Sequence, residues 1–241
     1  HLEKGKVFDT PQVILSYSGS GLTKLSQQYH EIIREHICRG AYKHAERPIL
    51  INNWEATYFD FNEEKILKIA EQAQKLGIEM LVLDDGWFGK RDDDNSGLGD
   101  WFVNEKKMNG SMAQLAEKIH KMGMKFGLWF EPEMISEDSD LYRAHPDWAF
   151  AVPGRVPNHG RNQLVLDMTR DDVREYLLER LTTIVHDAEI DYVKWDMNRS
   201  ITEAWSSGRD AAYQGTVMHR QILGVYRLYE RLIRKFPHVL F

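Results

Sequence analysis

A single cysteine, Cys38, leaves no intrachain disulfide and no cysteine-rich zinc site in a chain of 241 residues, and such scarcity fits a reducing compartment. Cytoplasm is the expected location. Long apolar runs are also missing: none approaches the ~20 residues that a membrane helix needs, and His1–Lys6 lacks the apolar core of a signal peptide. No membrane partner is expected. The formal charge is −6 and there is no basic block. Phosphate backbones attract Lys- and Arg-rich surfaces, so nucleic acid is not expected either, and a neutral ligand fits better. No glycine-rich fingerprint follows a strand, which removes the usual support for a dinucleotide or ATP enzyme. Asp92-Asp93-Asp94-Asn95-Ser96-Gly97 resembles the start of a calcium loop, yet Val103 stands at the twelfth position where a bidentate Glu belongs. His30 and His36 lie six apart instead of the four that a zinc-peptidase helix requires.

With 42% hydrophobic and 28% charged residues, the chain is of globular type and long enough to bury a large core. It begins without Met, as an excised piece would. Within Val7–Ser18, Val13-Ile14-Leu15 reads as a strand, ended by the loop Ser18-Gly19-Ser20-Gly21. Leu22, Leu25, Tyr29, Ile32, Ile33 and Ile37 recur at helical spacing, and Gly40 is read as the left-handed stop.

From Pro48 onward, short apolar strands alternate with amphipathic helices, the pattern of a parallel sheet built from βα units. Four units are counted. Strands are expected at Ile49–Asn53, Met80–Asp84, Lys125–Phe130 and Ile190–Asp196. The helices run from Asn62 to a Gly77 cap, from the capping box Ser111-x-x-Gln114 to Gly123, from Thr169 as N-cap, and from Met218 to Phe236 before Pro237. Gln163–Asp167 is left as a possible minor strand outside the main sheet, and His238–Phe241 reads as a strand just begun. A complete eight-stranded barrel takes ~250 residues, so the barrel is expected to be incomplete.

Each strand ends in polar or aromatic residues: Asn52, Asn53 and Trp54; Asp84, Asp85 and Trp87; Trp129, Glu131 and Glu133; Lys194, Asp196 and Asn198. In parallel α/β folds that end carries the active site, because the loops there converge on one mouth. Side chains alternate along a strand, so Lys194, Asp196 and Asn198 share a face, with Trp195 and Met197 on the other. An ammonium is thereby expected beside the Asp196 carboxylate, favouring the ionised state a nucleophile needs. The same pattern also suits a buried Lys–Asp pair that merely closes a strand end. Asp84 and Asp85 could bind a divalent metal, act as acid and base, or accept hydrogen bonds from neighbouring sugar hydroxyls. Trp54 and Trp129 could stack on the C–H face of a pyranose or simply fill the core.

Five segments, Asn52–Phe59, Leu83–Gly89, Gly127–Met134, Arg161–Asp167 and Lys194–Asn198, resemble in order the motifs of bacterial α-galactosidases of glycoside hydrolase family 36. The resemblance implies an α/β fold, a partial (β/α)8 TIM barrel over residues 47–241. Residues 1–46 would be the tail of an N-terminal β-sandwich, a strand and a linker helix. It implies retaining hydrolysis of terminal α-galactosyl residues, as in melibiose or raffinose, with Asp196 forming a covalent glycosyl-enzyme. By the same analogy Asp84 and Asp85 accept from the sugar's 4- and 6-hydroxyls, Trp54 and Trp129 wall the pocket, and Arg161, Lys194 and Asn198 bind the remaining hydroxyls. No metal or organic cofactor is implied; α-galactoside oligosaccharides are the partners, and a homo-oligomeric parent is expected. The family's acid/base Asp would follow Phe241, so these residues alone are expected to be inactive. Three alternatives stay open: a galactosyl transferase of the raffinose or stachyose synthase type, a noncatalytic galactoside-binding protein, and a metal-dependent barrel hydrolase using Asp84, Asp85 and Glu131.

Overall fold

The structure, a computed structural model, describes Leu2 and residues 4–241. The expected lack of a leader at His1–Lys6 therefore falls in part, at His1 and Glu3, outside the described residues. The chain divides into two compact units, His1–Glu46 and Arg47–Phe241.

In the first unit, helix α1 (Gly21–Ile32) runs on into a wider π turn, Ile33–Ile37. Tyr29 donates its hydroxyl to Ile14 O at 3.2 Å, which ties the preceding segment to the helix. Two expectations are corrected here. Val13–Leu15 forms no strand among the described residues, because a strand needs a neighbouring backbone to satisfy its N–H and C=O groups. Gly40 is not the helix stop: the helix ends at Ile37, Cys38 is already extended, and Gly40, at φ +76°, opens a 3-10 turn over Ala41–Lys43.

The second unit is an α/β fold. Strands β1 (Leu50–Asn52), β2 (Met80–Leu83), β3 (Lys125–Phe130) and β6 (Tyr192–Trp195) form a parallel sheet in the order β1-β2-β3-β6. Between β3 and β6 in sequence, β4 (Met134–Ile135) and β5 (Leu164–Val165) pair antiparallel as a separate small sheet, so the possible minor strand is real but short. Leu240 makes a parallel bridge to Tyr192. Among the described residues, no helix is long and apolar enough to cross a membrane.

Long helices follow the strands. Helix α2 (Glu63–Lys75) starts where the Asn62 side chain accepts from Lys65 N, and α3 (Met112–Lys121) starts with both halves of the Ser111/Gln114 capping box. Gly77 and Gly123 follow their C-termini at φ +79° and +78°, the left-handed conformation a Cβ disfavours. Helix α4 (Asp171–Asp187) has Arg170 rather than Thr169 at its N-cap. Thr169 is diverted because both its N–H and its hydroxyl donate to Asp167 Oδ1, at 2.9 and 2.5 Å. Helix α5 spans Val217–Lys235.

Ile66 and Ala70 of α2, Leu115 and Ile119 of α3, Leu177 and Leu181 of α4 and Leu228 and Leu232 of α5 are all buried, in one core with β2 and β3. Each amphipathic helix thus spends its apolar stripe on the sheet. Helix α5 comes so close to the end of the β5 segment that a Cβ on Gly224 would lie 2.0 Å from Met168 O. Gln221 locks the same contact: its Oε1 accepts from Met168 N at 2.8 Å and its Nε2 donates to Leu166 O at 3.0 Å.

Candidate active site at the strand ends

Parallel register puts the carboxyl ends of β2, β3 and β6 side by side, with Leu83 opposite Leu128 and Phe130 opposite Trp195. The polar residues just past those positions therefore meet. Asp84 is buried at 3% exposure. Its Oδ2 accepts from Asn52 Nδ2 at 2.6 Å and Lys194 Nζ at 2.8 Å, while its Oδ1 accepts from Asp85 N at 2.9 Å. Asn53, also buried, fixes the turn by accepting from Asp84 N.

Lys194 departs from expectation. Its ammonium pairs with Asp84, not with its near neighbour Asp196. The long side chain crosses in front of β3, the strand between, and reaches the end of β2. Asp196 is held instead by neutral donors: Trp129 Nε1 at 3.0 Å and Asn198 Nδ2 at 2.9 Å on Oδ2, and Met197 N at 3.0 Å on Oδ1. The expected alternation holds, since Trp195 turns to the helix layer, its ring 4.2 Å from that of Tyr229.

Asp85 faces a different partner. Arg91, only 2% exposed, donates Nε and Nη2 to its two oxygens and Nη1 to Ser96 O. Burial pushes the Asp85 carboxyl up, against the opposing pull of Arg91. Gly86 makes this turn possible: it sits at φ +103°, and a Cβ there would meet Phe59 at 2.9 Å.

Trp129 is 2% exposed and lies parallel to the Phe88 ring at 6.1 Å, so it offers an indole N–H rather than an open ring face. Trp87 supports it from beneath by donating Nε1 to Trp129 O at 2.9 Å. Trp54 is half-buried after β1, edge-on to Tyr58 and Phe59. Arg161 is exposed, at φ +56° in the loop before β5, and among the described residues no hydrogen bond joins it to Asp84 or Asp196.

Arg91 and Gln163 had not been assigned a site role, and Glu131 had entered only as a possible metal ligand. Glu131 is 1% exposed and accepts from Gln163 Nε2, Asn198 N and Asn198 Nδ2. Burial pushes its carboxyl up, and the nearby Asp196 charge adds to that, against the pull of its donors. Strand parity, which sets Trp129 and Glu131 on one side, was the available signal. Glu133, also buried and also pushed up by burial, accepts from Trp195 Nε1 at 3.1 Å. Among the described residues no three His, Cys, Asp or Glu side chains gather as a metal-holding group, so Asp84, Asp85 and Glu131 do not form the expected alternative ligand set.

Carboxylates, amides and an ammonium thus converge at the carboxyl ends of a parallel α/β sheet, the end at which α/β proteins of this class carry their ligand sites. The chain belongs to the Melibiase family, whose model matches residues 7–241. It is 53% identical, over its whole length, to alpha-galactosidase AgaA from Geobacillus stearothermophilus, and 53% identical over 99% of its length to the bifunctional alpha-galactosidase/sucrose kinase AgaSK from Mediterraneibacter gnavus. The chain spans 33% and 25% of those proteins, a third of their length or less. The crystal structure of the alpha-galactosidase from Lactobacillus brevis superposes with a TM-score of 0.91 at 53% identity, covering 94% of this chain and 30% of that one. Structures of AgaA variants have been solved in complex with raffinose and with stachyose.

Proposed function

We propose that this chain supplies the nucleophile and much of the sugar pocket of a longer retaining α-galactosidase, acting on terminal α-galactosyl residues of oligosaccharides such as melibiose and raffinose. The observation that carries the reading is the setting of Asp196, a carboxylate gripped by three donors beside the Asp84–Lys194 pair. A carboxylate is what must attack the anomeric carbon, and the three donors fix where its oxygens stand. The raffinose and stachyose complexes of AgaA variants support the substrate class.

In this reading Asp196 forms the covalent glycosyl-enzyme that water later releases. Asp84 and Asp85 accept from sugar hydroxyls, Asp85 through the lone pair of Oδ1 that Arg91 leaves. Lys194, Asn198 and Arg161 bind the remaining hydroxyls, and Trp54 and Trp129 border the ring. Residues 47–241 are the first half of a (β/α)8 barrel, and residues 1–46 the end of a β-sandwich with its linker, in a cytoplasmic homo-oligomer.

The proton donor comes from outside these residues. Glu131 comes within about 6 Å of Asp196, since both accept from the same Asn198 nitrogen, and a retaining pair is spaced by ~5–5.5 Å. Access rules it out: it is 1% exposed and already accepts three bonds, so no glycosidic oxygen reaches it.

A mechanism-based α-galactosyl inhibitor applied to the full-length protein is expected to label Asp196, and Asp196→Asn to abolish both labelling and hydrolysis. Labelling of another carboxylate would sink the assignment. Melibiose turnover by the 241 residues alone would refute the external proton donor.

A further inference from the structure

Glu131 is a buried carboxylate that the proposed chemistry leaves without work. Its Oε1 accepts from Gln163 Nε2 at 2.8 Å and from Asn198 N at 2.5 Å, and its Oε2 accepts from Asn198 Nδ2 at 3.1 Å. The same Nδ2 donates to Asp196 Oδ2 at 2.9 Å. An asparagine amide has an oxygen side and a nitrogen side of nearly equal shape, and only its partners decide which way round it sits. Here two carboxylates, which can only accept, flank one NH2 group and take one hydrogen each.

We propose that Glu131 is a positioning residue for Asp196, fixing the Asn198 amide so that its NH2 and never its oxygen faces the nucleophile. The inference rests on the reading of Asp196 as nucleophile.

The consequence of Glu131→Gln follows from donor counting. Two N–H groups converge on Oε1, so the glutamine oxygen must stay there. Its NH2 then replaces Oε2 and confronts the NH2 of Asn198. The conflict is relieved when the Asn198 amide turns over, and that turn aims a lone pair at Asp196 in place of a donor. Glu131→Gln also removes a carboxyl group near Asp196, so Glu131→Asp, which keeps one at a shorter reach, separates orientation from charge.

The test measures the rate of covalent labelling by the α-galactosyl inhibitor across pH, in the full-length protein, for wild type, Glu131→Gln, Asn198→Ala and the double variant. Positioning predicts a fall of tenfold or more for Glu131→Gln even on the pH-independent plateau of the labelling rate, with no further fall when Glu131→Gln is added to Asn198→Ala. Glu131→Asp keeps the charge but cannot span both Asn198 bonds, and is expected to slow labelling likewise. Wild-type plateau rates in the folded Glu131 variants, or additive losses in the double variant, overturn the proposal. So does failure of both single Glu131 variants to reach the wild-type circular dichroism spectrum, because the carboxylate would then be a folding requirement. Wild-type protein labelled elsewhere than Asp196 would instead defeat the underlying functional reading.

Discussion

Gly224→Ala places one methyl group where helix α5 meets the end of the β5 segment. The added Cβ would stand 2.0 Å from Met168 O, whereas ordinary contact begins near 3.4 Å, so the helix or the segment must retreat by roughly 1.4 Å. Gln221 lies one turn earlier on the same helix, and its bonds of 2.8 and 3.0 Å to Met168 N and Leu166 O would both stretch past 3.5 Å. A buried polar group left unpaired costs about 1–3 kcal/mol, and overpacking by a methyl a further ~1–3 kcal/mol. Replacing glycine by alanine inside a helix returns about 1 kcal/mol. The net is a loss of about 3 kcal/mol, or roughly 6–12 °C in melting temperature for a unit of this size. Gly215→Ala is the control, since its Cβ would meet nothing closer than Ala212 O at 3.9 Å. Thermal unfolding followed by circular dichroism reads both. A Gly224→Ala protein that melts at or above the wild-type temperature would refute the close-approach argument.

Arg91→Met strips the partner from a carboxylate that is nearly inaccessible, and is expected to cost about 3–5 kcal/mol in urea unfolding. Adding Asp85→Asn should recover most of that loss, and two independent, additive losses would contradict the pairing. Glu133→Gln keeps the oxygen that accepts from Trp195 Nε1. Burial raises the folded-state pKa of Glu133 above its unfolded value, so the wild type loses stability as pH climbs from the unfolded value through the raised one. The stability of Glu133→Gln relative to wild type should therefore grow with pH across that window and then level off; a constant difference would count against the burial.

Local signals carried the helices well. Asn62, the Ser111/Gln114 pair, Gly77 and Gly123 act within one turn of backbone, and their chemistry is written in adjacent letters. Strand identity was equally legible because β2, and β3 after its opening Lys125, are continuous apolar runs. What failed depends on partners distant in sequence. Val13–Leu15 has strand composition but, among the described residues, no neighbouring strand. Thr169 has N-cap chemistry but spends it on Asp167. At the site, the convergence of Asp84, Asp196, Lys194 and Asn198 followed from strand ends alone. The pairing inside it did not: that Lys194 chooses Asp84 over Asp196 depends on the strand order β2-β3-β6. Arg91 gave no periodic or motif signal, since a loop residue reaches its carboxylate through a turn that only Gly86 allows.

Two indoles serve the nucleophile's side of the site, Trp87 donating to Trp129 O and Trp129 donating to Asp196, and each of these bonds runs in one direction only. An indole nitrogen has a hydrogen to give and no in-plane lone pair with which to receive one. A histidine in the place of Trp129 could exchange donor for acceptor as the solution turned alkaline, and a tyrosine could reverse its hydroxyl. Tryptophan can do neither, so the direction of that contact is fixed by the side chain itself, whatever the solution around it.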